Sequence, residues 1–154
     1  MNAIQMTLLV CGLAASALAS PAAKLLPETP FISCGADTIK TLEVVGCASL
    51  PCILRRGTTV TLNVDIVSNA DTATLASEIY GNLNGVLVPF SADDQACSSL
   101  TSGSCPLSSG DEFGFTTSVD VLNEYPPVSV TIEWRLKDAS GAQMACAQIP
   151  ARIM

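Results

Sequence analysis

The amino-acid sequence predicts an all-β domain, an antiparallel β-sandwich of about seven short strands. Apolar and polar residues alternate with the period of a strand, and no stretch shows the apolar face of a helix. Turn dipeptides separate the alternating segments, as expected for strands that fold back on one another. The chain has 154 residues, of which 49% are hydrophobic, so it can form one domain with its own core.

The first segment, residues 1–19, is predicted to be a secretory signal peptide, and residues 20–154 are predicted to form the single domain. The segment has no charged side chain and ends in Ala17-Leu18-Ala19, with small residues at the positions that a signal peptidase inspects. The alternative is a buried or membrane-spanning helix. It is disfavoured because the apolar run is short and Pro21 follows it. We therefore expect a soluble, secreted, extracellular protein.

The alternation of apolar and polar residues after the signal peptide predicts the individual strands. The clearest segments are residues 60–66, 113–121 and 128–136, and weaker ones are residues 39–45, 75–82, 86–90 and 143–153. The turn signals between them are Arg56-Gly57, Asn84-Gly85, Ser109-Gly110 and Ser140-Gly141. Each clear segment is expected to bury one face against the other sheet.

Cysteine usage predicts disulfide bonds. Of seven cysteines, Cys11 falls in the predicted signal peptide, and the remaining six are Cys34, Cys47, Cys52, Cys97, Cys105 and Cys146. An even number in an oxidising compartment indicates three disulfides, although spacing alone does not choose among the possible pairings. A cysteine-only metal site is disfavoured because the sequence has no C-x-x-C. We expect neither a metal nor a cofactor.

Charge and composition argue against several functions. Seven Lys and Arg stand against 14 Asp and Glu, a net charge of −7, which disfavours nucleic acid as a partner. The chain has no histidine, so it lacks the general base of Ser-His-Asp and Cys-His sites, and it has no G-x-S-x-G motif. We therefore expect that the protein is not an enzyme.

An ordered set of motifs spans the predicted domain. The motifs are Phe31-x-x-Cys34-Gly35, Cys47-x-x-x-Pro51-Cys52-x-Leu54-x-x-Gly57, Gly85-x-x-Val88-Pro89-Phe90, Cys97, Gly103-x-Cys105-Pro106-Leu107, Tyr125-Pro126, Glu133-Trp134-x-Leu136-x-Asp138 and Cys146-x-x-Ile149-Pro150. In this order they resemble the Niemann-Pick type C2 proteins of the ML lipid-recognition family. The resemblance implies an immunoglobulin-like two-sheet sandwich. It also implies the disulfides Cys34–Cys146, Cys47–Cys52 and Cys97–Cys105.

The resemblance further implies an apolar cavity between the sheets that takes one lipid, typically a sterol or a fatty acid. The family's contact motifs fall on Phe90, Val121, Tyr125 and Pro126. Further wall candidates are Val64, Ile66, Phe113, Phe115, Val128, Val130 and Trp134. The alternative for every one of them is ordinary sandwich core. Val86 and Leu87 resemble the family's apolar rim, which touches a membrane or a receiving protein, or they form an exposed hairpin tip.

The chain departs from the family's pattern at several points. Ala147 stands where vertebrate members have an aromatic residue, and no Asn-x-Ser/Thr glycosylation sequon occurs, which favours secretion over lysosomal sorting. Without histidine, acid-triggered release would depend on carboxylates such as Glu124, Glu133 or Asp138. We therefore expect little change in lipid affinity between about pH 7 and 5.5.

Four functions follow from these observations. The first is a secreted monomeric lipid carrier that makes transient contact with a membrane or a lipid-acceptor protein. The second is an immune protein that recognises microbial lipids, related to mite group 2 allergens, and it would require a cationic rim. Arg55 and Arg56 are the only adjacent cations. The third, a lipid-modifying enzyme, is disfavoured by the missing histidine. The last is a filled sandwich that binds proteins and no lipid.

Overall fold

A computed structural model describes residues 27–154, and the predicted signal peptide, residues 1–19, lies outside the described residues. The described residues form ten strands and one 3-10 helix, Ala96–Ser99, with no α-helix among them. The strands are β1 (Ile32–Ser33), β2 (Ile39–Val44), β3 (Cys52–Leu54), β4 (Thr58–Val67), β5 (Leu75–Leu83), β6 (Val86–Asp93), β7 (Leu100–Ser102), β8 (Glu112–Val121), β9 (Ser129–Asp138) and β10 (Gln143–Ile153). The all-β prediction is confirmed. The predicted segments correspond to the seven long strands, and β1, β3 and β7 are additional short ones.

The strands form two sheets. The first sheet has the order β1-β10-β9-β5-β6, with β3 also paired to β10, and the second has the order β2-β4-β8-β7. All pairs are antiparallel except β3 with β10, which is parallel. The parallel pair departs from the antiparallel sandwich predicted from the sequence. β3 follows β2 of the second sheet in the chain and crosses to the first sheet, where it pairs with β10. No hairpin joins β3 to β10, and only a hairpin would require the two strands to run antiparallel.

The predicted turns are confirmed by backbone conformation. At the β5–β6 turn both central residues have positive φ, 53° at Asn84 and 94° at Gly85. Two residues of this kind form the tight turn whose twist suits a hairpin, and Asn-Gly is the preferred pair for it. Gly57, Gly110 and Gly141 of the other predicted turns also have positive φ.

The inner faces of the two sheets form one hydrophobic core. Trp134 of β9 is fully buried at its centre, and its indole ring stacks on Phe115 of β8 from the second sheet, with 5.7 Å between ring centroids. On the second sheet, Val64 lies opposite Phe115 and Ile66 lies opposite Phe113, and all four are buried. None of these four side chains lines the apolar cavity described below, and we refer to the half of the sandwich around them as the filled half.

Three disulfides join the cysteines as the family resemblance implied. Cys34–Cys146 links residues 112 positions apart and ties the chain before β2 to β10. Cys47–Cys52 and Cys97–Cys105 close short loops, with separations of 5 and 8 positions. The expected pairing is confirmed. The long bridge is the one expected to stabilise most, because it closes the largest loop in the unfolded chain.

Candidate functional site

An apolar cavity of about 60 Å³ lies between the sheets at one end of the sandwich. At this end β4 and β9 begin, and β5, β8 and β10 finish; we refer to it as the cavity end. The lining residues come from both sheets and from the loops between them. They are Val44, Cys52, Leu54, Val60, Leu62, Ile79, Phe90, Thr117, Val119, Val121, Tyr125, Ile132, Trp134, Ile149, Ala151 and Ile153.

The alternation of the strands places these side chains on the inside. Val60 lies directly opposite Val119 in the second sheet, and Thr58, two positions before Val60, lies opposite Val121. On β10 the lining residues are Ile149, Ala151 and Ile153, with the smallest of the three in the middle. A short side chain between two long ones leaves space that the opposite sheet does not fill, and this favours a hollow at this level of the sandwich.

Two aromatic rings lie together on the wall of the cavity. Phe90 of β6 and Tyr125 of the β8–β9 loop stack with their ring centroids 5.4 Å apart and an angle of 25° between the rings. Both residues are half-buried. We refer to these rings as the aromatic pair. Because each residue both lines the cavity and reaches solvent, the pair separates the cavity from the outside on this side.

Trp134 forms the deep part of the lining. Its side chain is fully buried, and its indole Nε1–H donates a hydrogen bond to the Ser77 hydroxyl at 3.0 Å. The single polar atom of the indole is therefore satisfied, as a buried donor requires. The other atoms of the indole ring are apolar, so Trp134 presents no unpaired polar atom to the cavity.

The cavity offers almost no polar chemistry. Apart from the indole Nε1–H of Trp134, which is bonded to Ser77, the side-chain polar groups of the lining are the hydroxyls of Thr117 and Tyr125. No charged side chain lies in the lining formed by residues 27–154. Within the same residues no cluster of three or more His, Cys, Asp or Glu could hold a metal ion. A cavity of this kind favours an apolar guest over water or an ion.

Among the described residues, two of the three carboxylates with shifted pKa values, Glu78 and Glu133, lie on the outer face of the first sheet. A hydrogen bond from Lys137 Nζ at 2.8 Å lowers the pKa of Glu78, which also accepts one from the Tyr80 hydroxyl. Burial raises the pKa of Glu133, but hydrogen bonds from Gln148 and Arg135 outweigh it and leave the pKa below its ordinary value. None of these groups belongs to the cavity lining.

The structure divides the predicted site residues into two groups. Phe90, Val121, Tyr125 and Trp134 lie together in the cavity lining. The other predicted contacts lie outside it, and they are Val64, Ile66, Phe113, Phe115, Pro126, Val128 and Val130. The first four of these belong to the filled half of the sandwich, and the last three belong to the β8–β9 loop or the start of β9.

Much of the lining was not predicted from the sequence. The missed residues are spread over seven strands, and they are Val44, Cys52, Leu54, Val60, Leu62, Ile79, Thr117, Val119, Ile132, Ile149, Ala151 and Ile153. The sequence shows the alternation in residues 143–153, because Gln148, Pro150 and Arg152 separate apolar residues. The structure buries every second residue from Ala147 to Ile153. Which end of each strand faces a hollow was not visible, because both ends follow the same alternating pattern.

Exposed apolar side chains concentrate at the cavity end. The structure has nine exposed large hydrophobic residues among those described, and eight of them lie there: Val45, Leu50, Ile53, Val86, Leu87, Val88, Leu122 and Met154. The ninth, Ile32, pairs with the middle of β10. Val86 and Leu87, the predicted rim, are 64% and 40% exposed. Such a concentration typically marks an interaction surface.

Comparison with known proteins identifies the family. The family model described as ML domain matches residues 28–153. The chain belongs to the ML-domain family. Two ML-domain relatives are similar over most of the chain. The "NPC intracellular cholesterol transporter 2 homolog a" of Drosophila melanogaster is 36% identical, over 80% of this chain and 86% of that one. The "NPC intracellular cholesterol transporter 2" of Bos taurus is 31% identical, over 99% of each.

A solved structure shows the same fold. The Niemann-Pick type C2 protein from Japanese carpenter ant has a TM-score of 0.72 and 22% sequence identity, over 81% of this chain and 99% of that one. At this level of identity the likeness concerns the ML-domain fold. Among residues 27–154, no helix has both the length and the apolar character needed to cross a membrane.

Proposed function

We propose that the protein is a secreted carrier that holds one sterol, fatty acid or similar small hydrophobic molecule between its two sheets. The observation that supports this most is the apolar cavity at the cavity end, with its lining free of charged side chains in the described part of the chain. The names of the two relatives, which describe cholesterol transporters, support the same class of ligand. Phe90, Val121, Tyr125 and Trp134 are the proposed lipid contacts.

The size of the cavity sets a condition on binding. At about 60 Å³ it is smaller than the roughly 150 Å³ cavity that suffices for benzene, so a lipid enters only if lining side chains move apart. The half-buried lining residues are the ones free to do so. A ligand of about 20 to 30 non-hydrogen atoms at roughly 0.3 kcal/mol each gives a dissociation constant near the micromolar range. This affinity suits a carrier that must also release its ligand.

The remaining parts of the proposal come from the sequence. A signal peptide over residues 1–19 would direct the domain, residues 20–154, out of the cell into a compartment where its disulfides form. The proposal includes no enzymatic activity, no cofactor and no nucleic-acid partner, and the carrier acts as a monomer. Its ligand is held by apolar contact alone.

We also propose that the cavity end makes transient contact with a membrane during transfer. The exposed apolar residues around it supply the contact area, and the β5–β6 turn presents the most exposed of them, Val86. An uncharged bilayer is the chosen partner, because a chain of net charge −7 is repelled by an anionic surface. Contact at this end would bring the cavity next to the lipid tails.

The alternative function, recognition of microbial lipids that contain phosphate, requires cations that face the headgroup. Arg55 and Arg56 lie at the cavity end, in the connection between β3 and β4, but neither is part of the cavity lining. Phosphate groups at the cavity would find no cation on its described walls. We therefore favour the carrier of lipids without phosphate.

The test of the carrier proposal is the substitution Val121→Phe. The larger side chain would fill the cavity from β8, so binding of dehydroergosterol, a fluorescent sterol, and of cis-parinaric acid, a fluorescent fatty acid, should weaken by more than about tenfold. The thermal midpoint should stay close to that of the wild type, because the ring enters existing space. Fluorescence titration and calorimetry measure the two quantities.

Leu122→Phe provides the matched control. Leu122 is the next residue, is 40% exposed and is not part of the lining, so the same aromatic ring at this position should leave binding unchanged. Normal binding of both probes by Val121→Phe would contradict the assignment of the cavity as the lipid site.

A further inference from the structure

The inner face of β5 has a gap at one position. Residues Leu75, Ser77, Ile79 and Gly81 are buried and share one side of the strand, and the last of them has no side chain. A Cβ atom built at Gly81 would lie 2.6 Å from Cζ and 2.7 Å from Cε2 of the Phe90 ring. It would lie 3.2 Å from Cγ2 of Val130. The phenyl ring of Phe90 therefore occupies the space that a side chain at position 81 would need.

Phe90 reaches this space from an irregular point of an edge strand. β6 pairs with β5 and lies at the end of the first sheet. The register between them shifts at Phe90, because Tyr80 lies opposite Pro89 whereas Ile79 lies opposite Ser91. The extra residue of such a bulge turns its side chain away from the regular direction. Here the bulged residue is Phe90, and its ring lies over Gly81 and against Tyr125.

We propose that Gly81 is a positioning residue for the aromatic pair. Because Gly81 has no side chain, it leaves a space beside β5, which we call the seat, and the Phe90 ring closes the cavity when it lies in this seat. When the ring leaves this seat, the space above Gly81 joins the cavity. This enlargement of the cavity rests on the proposed carrier function, because it supplies the additional room that a bound lipid needs. A ring on a half-buried side chain of an edge strand can move without disturbing the central strands.

The test compares Gly81→Ala with the wild type in two backgrounds. An added methyl group would displace the ring, and the far end of a side chain can shift without preventing folding, so the variant should fold. In the ligand-free protein, nuclear Overhauser contacts between the Phe90 and Tyr125 rings should be lost. Dissociation of dehydroergosterol and cis-parinaric acid, followed by stopped-flow fluorescence, should be about fivefold faster, the size of effect expected from losing one stacked aromatic pair.

The second background is Phe90→Ala, in which there is no ring to displace. Gly81→Ala should then leave the dissociation rate unchanged, because it acts through Phe90. Equal acceleration in both backgrounds, or intact Phe90–Tyr125 contacts in Gly81→Ala, would overturn the inference. If the wild-type protein bound neither probe, the carrier function would fail, and the ring contacts in the ligand-free protein would still decide whether Gly81 provides the seat.

Discussion

No charged side chain among the described residues belongs to the cavity lining, and this separation determines how lipid binding should respond to acid. Among the described residues with shifted pKa values, Glu78 and Glu133 lie on the outer face of the first sheet. Asp138 is the last residue of β9, and a hydrogen bond from the Ser140 hydroxyl in the following turn lowers its pKa. None of the three carboxylates belongs to the cavity lining, so their protonation would leave the lining uncharged.

Lipid affinity is therefore expected to change by less than about twofold between pH 7 and 5.5. A lowered pKa gives stability that is present above the ordinary value and is lost as pH falls through the folded one. The ordinary values here are 4.5 for Glu78 and Glu133 and 3.8 for Asp138. The free energy of unfolding should thus decline only below about pH 4.5. Probe titrations at pH 7 and 5.5 measure lipid affinity, and acid unfolding measures the free energy of unfolding. A tenfold change in affinity would contradict the first prediction.

Some site residues could be predicted from the sequence and others could not. Phe90, Val121 and Tyr125 stand in motifs with a family resemblance, and the structure places them in the lining. Val64 and Phe115 satisfy the same alternating pattern but lie in the filled half of the core. Alternation shows which face of a strand is inside, and it does not show how closely the opposite sheet approaches.

At the scale of elements, the β5–β6 hairpin combines two features of the proposed transfer. Its turn presents Val86 and Leu87 to solvent, and its second strand holds Phe90 of the aromatic pair. A contact at the turn would therefore lie a few residues from the side chain that covers the cavity. This proximity connects the proposed membrane contact with opening of the cavity.

The substitution Leu87→Asp is expected to slow transfer of dehydroergosterol to phosphatidylcholine vesicles by more than about threefold, because it removes apolar contact area. Equilibrium binding in the absence of vesicles should not change, since Leu87 is not a lining residue. Ile32→Asp is the control, as Ile32 is 58% exposed but lies away from the cavity end. Equal rates for all three proteins would rule out the hairpin as the contact.

The strands themselves were largely predictable, whereas one pairing was not. Alternation located the seven long strands, and Asn84-Gly85 located the tight hairpin. The parallel pairing of β3 with β10 had no signal in the sequence, because three residues are too few to show a period. A strand that arrives from the other sheet is placed by the fold as a whole.

At the scale of the whole molecule, the sandwich is filled at one half and hollow at the other. Three disulfides fasten it: one joins the beginning of the domain to β10, and two close short loops. One of the short bridges, Cys47–Cys52, lies at the cavity end, where Cys52 is part of the lining. The proposed carrier function requires that the filled half holds the sheets together while side chains at the cavity end move apart. In this proposal the filled half supplies most of the core packing, and the cavity end supplies lipid binding.

Trp134 lies where the two halves meet, and it is the single tryptophan of the chain. Its fluorescence gives the most direct test that lipid enters between the sheets. Titration with a dibrominated stearic acid, whose bromine atoms quench a tryptophan on contact, should quench Trp134 until one ligand is bound per protein, and Val121→Phe should abolish the quenching. Binding of the brominated lipid with unchanged Trp134 fluorescence would contradict the account, because the lipid would then lie outside the core.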